Sequence, residues 1–106
     1  MMVFRFKPDF SYQPTEQEQA AMKEQWGGFI GNIAISEKLV STYQLGFEGK
    51  QIHSNSSVVD GMLISEEQVM GGNMVEKANS LEEASELAKG CPILKMGGTV
   101  EIRTIR

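Results

Sequence analysis

The sequence predicts one α+β domain, a ferredoxin-like sheet with two helices on one face. Three observations carry that reading. Period-two alternation marks both ends of the chain. Two stretches with helical spacing each open on a hydroxyl residue followed three places later by a glutamate. The elements run strand, helix, strands, helix, strand. A chain of 106 residues is read as one domain spanning 1–106, long enough to bury roughly two-thirds of its unfolded surface.

In the first strand, Met2, Phe4 and Phe6 alternate with Val3, Arg5 and Lys7. One side is apolar and the other mixes a valine with two cations. Residues 8–14 read as a loop bounded by prolines. Thr15-Glu16-Gln17-Glu18 is a capping box, and the helix it opens should end between Ile35 and Lys38. Met22, Trp26, Phe29, Ile30 and Ile33 share one face of it. Gly27, Gly28 and Gly31 interrupt this helix at about 1 kcal/mol each in propensity. The expected reason is a close approach of helix to sheet.

Leu39 to Leu45 reads as a short strand. Gln51–His53 and Ser57–Asp60 read as a hairpin around Ser54-Asn55-Ser56. Ser65 to Gly72 reads as a loop or helical turn, and Met74 to Ala78 as a further strand. The pairs Gly71-Gly72 and Gly97-Gly98 read as turns. Ser80 caps a second helix with Glu83 as its partner. Leu81, Ala84, Leu87, Ala88 and Cys91 form that helix's buried face, and Gly90 and Pro92 end it. In the last strand Val100, Ile102 and Thr104 oppose Glu101, Arg103 and Ile105. The uncovered face of the sheet is too apolar to stand wet and too charged for a second core, so it reads as a pairing surface.

Composition narrows the function classes. A net charge of −4 without a Lys/Arg cluster argues against a nucleic-acid surface. The single cysteine excludes an intrachain disulfide framework and suits a reducing compartment. The first residues lack the order of a signal peptide, and the longest mostly apolar stretch, Gly27 to Ile35, is too short to span a bilayer. The expectation is a soluble cytoplasmic protein with no membrane partner. One histidine and one cysteine without ligand spacing give no metal site. The glycine pairs lack a phosphate-loop pattern, and no cofactor is expected.

Asp60-Gly61, Gly71-Gly72, Ala78-x-Ser80-Leu81-Glu82-Glu83-Ala84, Cys91-Pro92 and Val100-Glu101-Ile102-Arg103, in this order and spacing, resemble the YCII-related family in its DGPF branch. Met62-Leu63 stand where that branch has Pro-Phe, and Thr104 where it has a closing proline. The resemblance spans essentially the whole chain. It implies a homodimer in which two sheets face each other as a dimeric α/β barrel, with a small cavity in each protomer. It also implies a His–Asp pair of proposed catalytic role. The aspartate carries over to Asp60 through the Asp-Gly motif, and the histidine to His53 without a motif to fix it. DGPF domains also occur with transcription sigma factors, which implies a protein partner as an alternative.

If the hairpin turns on Asn55-Ser56 alone, His53 faces Val58, and Asp60 points to the same side as His53. A carboxylate beside an imidazole fixes its tautomer and suits acid–base work near neutrality. A turn with an odd number of residues breaks this parity. The plainer readings are a solvated hairpin histidine and a turn-forming aspartate before glycine. Arg5, Glu101 and Arg103 lie on the terminal strands and can line one cavity that binds an anionic or enolic substrate; a cross-strand ion-pair network is the competing reading. Ser65 follows the Asp-Gly turn and can rim the pocket. Three functions stay open: proton transfer on a small organic molecule by Asp60 and His53, binding of a small-molecule ligand without turnover, and a regulatory dimer with a protein partner.

Overall fold

The two sides of β1 (Met2–Phe6) organise the molecule. In the computed structural model, which describes residues 1–8, 14–46, 48–61, 64–65 and 67–106, Met2 and Phe4 are buried at 0% and 4% exposure beneath the helices. β1 lies between β6 (Gln68–Glu76) and β7 (Thr99–Ile102), and β2 (Leu39–Gln44) pairs with the other side of β6. The order is β2-β6-β1-β7 with antiparallel neighbours, and β5 (Ile64–Ser65) pairs with the start of β6. Two helices against an antiparallel sheet make the fold α+β, and the strand order is compatible with a ferredoxin-like arrangement. β3 (Lys50–Ile52) and β4 (Val58–Asp60) form a separate two-stranded sheet.

Helix α1 (Glu16–Ile35) starts where the capping box places it: the Glu18 amide donates to Thr15 Oγ1 at 3.1 Å. Phe29 and Ile33 are its buried residues, and Trp26 sits edge-on to Phe4 with ring centroids 5.2 Å apart. Helix α2 (Leu81–Ala88) starts at Ser80, whose Oγ accepts from the Glu83 amide at 3.1 Å. Ala84 and Ala88 are buried, but Leu81 is half exposed. Pro92 does more than stop this helix. It begins a short 3-10 helix (Pro92–Met96) whose Pro92 and Ile93 are buried, closed by Gly97 at φ +80° as the expected turn. Phe29, Ile33, Ala88, Cys91 and Ile93 meet Met2, Phe4 and Met74 in one core, so both helices cover the same face.

Two glycine expectations are overturned. A Cβ added at Gly27, Gly28 or Gly31 would meet nothing within 4 Å. These residues do not bring α1 close to the sheet; Gly28 instead lines a groove of about 430 Å³ shared with Asn32, Leu87, Gly90 and Pro92. Gly71-Gly72 is not a turn. It lies inside β6, where Phe4 pairs with Gly72 but Arg5 pairs with Met70, leaving Gly71 as the extra residue of a bulge. A Cβ at Gly72 would stand 2.6 Å from the Tyr43 carbonyl oxygen. The glycines are there because neighbouring backbone and the Phe6 ring come too near for a side chain.

Among the described residues, no helix lies over the opposite sheet face. Val3 pairs with Glu101 on one side and Asn73 on the other, and Arg5 follows Val3 on the same side of β1. Val3 is nevertheless 4% exposed. Its strand neighbours Asn73 and Glu101 are polar, so this face carries an apolar residue between polar ones.

Candidate functional site

The hairpin carrying His53 and Asp60 has an odd loop. Lys50 pairs with Asp60, Gln51 with Val59 and Ile52 with Val58. The ladder continues through the His53 amide, which donates to the Ser57 carbonyl at 2.8 Å. Ser54, Asn55 and Ser56 are therefore all in the loop. Ser56 is left-handed at φ 69°, and Asn55 Oδ1 accepts from the Ser57 amide at 3.0 Å. This is the three-residue turn with a left-handed closing residue that hairpins use next most often after two-residue turns. It corrects the two-residue parity. His53 shares a side with Gln51 and Val59, whereas Asp60 shares the opposite side with Lys50, Ile52 and Val58. The hairpin therefore does not bring the two residues together. Asp60 is instead 80% exposed and paired with Lys50 Nζ at 2.7 Å. Gly61 follows at φ +110°, a conformation that disfavours any other residue, and its amide donates to the Gly49 carbonyl. Met62, Leu63 and the side chain of Ser65 lie outside the described residues.

Arg5 and Glu101 do meet. Their strands are neighbours, and Arg5 Nη2 stands 3.8 Å from Glu101 Oε2, with the side chains 33% and 48% exposed. A pair this long and this wet contributes about 0–1 kcal/mol. It leaves most guanidinium donors free for another acceptor. Arg103 does not join them in the ladder. It lies just past β7, where its amide donates to the Met1 carbonyl at 2.9 Å, and it lines a second cavity of about 440 Å³.

That second cavity contains the acidic group the sequence reading passed over. Glu76, on β6, has a side chain 1% exposed, with Oε1 3.7 Å from the N-terminal ammonium and Oε2 without a hydrogen-bond partner among the described residues. Loss of hydration raises its pKa, and the ammonium and the Met2 amide only partly offset this. The signal was present. On a strand containing Met74, alternation sends Glu76 to the same side as that fully buried methionine. Glu83 shows the contrary case. Lys38 Nζ bonds its Oε1 at 2.9 Å and lowers its pKa. Cys91 is buried in the core, and desolvation raises its thiol pKa. Among the described residues no cluster of three His, Cys, Asp or Glu is placed to hold a metal ion, and no helix is long and apolar enough to cross a membrane.

The fold defines a small α+β protein whose two described helices pack on one face of an antiparallel sheet. Residues 33–106 match the YCII-related domain, and the chain belongs to that family. The match begins within α1, so β1 and Arg5 precede it. No curated protein matches the chain.

Proposed function

We propose that the protein is a homodimer of ferredoxin-like protomers, joined as a dimeric α/β barrel. Its facing sheets enclose a site that binds a small anionic or enolic organic molecule without turning it over. The observation that carries this reading is the Arg5–Glu101 pair, loose and partly exposed beside a buried Val3 on the sheet face turned away from α1 and α2. Arginine in this setting offers a planar fork to a carboxylate or enolate. Glu101 orients the guanidinium and limits the net charge of the site. Binding is favoured over acid–base turnover because His53 and Asp60 occupy opposite sides of an exposed hairpin, and Asp60 is already paired with Lys50. Acid–base catalysis by this pair needs both groups within reach of one bound substrate.

The test is calorimetry with a panel of small carboxylates and enolisable keto acids on the wild type and Arg5→Gln. At least one compound should bind the wild type, with affinity reduced tenfold or more in Arg5→Gln. Binding indifferent to Arg5, or none across the panel, would remove the open face as the site. Deuterium wash-in at the carbon beside the ligand carbonyl separates binding from turnover. Exchange that disappears in Asp60→Asn and His53→Ala would replace the binding reading with an acid–base enzyme.

A further inference from the structure

The β3–β4 arm is the part of the chain least explained by its own protomer. A two-stranded hairpin is marginally stable alone in water, and among the described residues this one pairs only with itself. From Glu48 to Gly61 every described residue except Gln51 is exposed. Ile52 and Val58 face each other across the strands as an apolar pair, yet stand 71% and 54% exposed. The Lys50–Asp60 ion pair flanks them on the same side.

Area gives the occupant. The chain exposes 7955 Å². A compact monomer of 11.7 kDa exposes about 5,900 Å², so about 2,000 Å² is in excess. The radius of gyration tells the same story, 15.3 Å against about 13 Å for a compact chain of this length. Obligate homodimers bury about 2,000–5,000 Å² over both partners. The excess on one protomer falls within its share of such an interface. Two unpartnered surfaces on one chain, an arm and a sheet face, are satisfied together by a two-fold axis that lays each arm on the other's sheet.

We infer that the arm is an exchange arm: its Ile52–Val58 side docks on the open sheet face of a second copy of this chain. The inference rests on the homodimer proposed above and adds the element that holds it. Because Asp60 lies on the docking side, each arm carries that carboxylate to the sheet face on which its partner displays the arginine–glutamate pair.

The experiment is sedimentation equilibrium on the wild type, Ile52→Asn and Tyr43→Asp, with circular dichroism to establish that each variant is folded. Both substituted residues are exposed in the protomer, at 71% and 63%, so neither change disturbs the core. The expected result is a wild-type dimer whose dissociation constant rises at least tenfold in both variants. A dimer weakened by Tyr43→Asp but unchanged in Ile52→Asn overturns the arm while the sheet-to-sheet dimer stands. A wild type monomeric at all concentrations overturns both. Hydrogen exchange supplies a second reading. The Gly61 and His53 amides, bonded to the Gly49 and Ser57 carbonyls, should be protected in the dimer and exchange rapidly on dilution. Protection independent of concentration means the arm is held by its own protomer and overturns the inference.

Discussion

The helix-covered side of the sheet and the β3–β4 arm are made from similar residues and obey different rules. Under the helices, Met2 and Met74 reach 0% exposure and Cys91 2%, and each side chain has its direction fixed by what it touches. In the arm, Val58 and Val59 point to opposite sides and both are about half exposed. Burial dictates register in the first region. In the second only turn chemistry does. A β-branched run is therefore evidence of a strand, but it says which way the strand faces only where one side is covered.

The contrast is tested most severely by truncation. Met74→Ala should cost about 2–5 kcal/mol in urea unfolding, as large-to-small changes do in closed cores. Val59→Ala in the arm should change monomer stability by less than about 0.5 kcal/mol. Equal losses would abolish the distinction. Gly72→Ala comes next. A methyl 2.6 Å from the Tyr43 carbonyl oxygen must push β2 away from β6, at about 1–3 kcal/mol. Gly28→Ala should have the opposite sign, raising the unfolding midpoint with a gain of about 1 kcal/mol, since its Cβ enters open groove and the helix gains propensity.

The smallest effects are in pH dependence, and they have opposite signs. The folded pKa of Glu76 is raised above 4.5 by desolvation. Its contribution is fully present below 4.5 and is lost as pH rises through the folded value. Glu83, lowered from 4.5 chiefly by the Lys38 hydrogen bond, contributes above 4.5, and that contribution is lost as pH falls through its folded value. Urea midpoints followed between acid and neutral pH should show Glu76→Gln removing a decline toward neutrality and Lys38→Met removing a decline toward acid. Parallel curves would mean that neither carboxyl senses its surroundings.

What was legible follows the same division. The alternation of β1 assigned Met2 and Phe4 inward, and both capping boxes started their helices at the right residue. These signals are local or enforced by burial. The glycines were misread because a missing side chain does not say what it makes room for. At Gly72 it is a neighbouring strand, and at Gly28 nothing at all. The site was legible in part. Adjacent terminal strands brought Arg5 to Glu101. His53 and Asp60 depended on a loop count that composition does not fix, since Asn-Ser and Ser-Asn-Ser are equally good turn formers. Glu76 was readable from parity, two residues after Met74 on a strand expected over Met74 to Ala78 and found over Gln68–Glu76.

The odd loop at Ser54-Asn55-Ser56 works like a reading frame. Were the hairpin to close on Asn55-Ser56 alone, with Ser54 drawn into the ladder opposite Ser57, His53 would stand opposite Val58 and turn to the side of Asp60. A one-residue slip of pairing at an exposed tip would thus reassign which chemistry the arm presents, without altering a side chain on either strand. In a chain built this way, the register of the turn decides which groups meet. Relatives whose turn closes one residue differently would display different pairs of groups from the same scaffold.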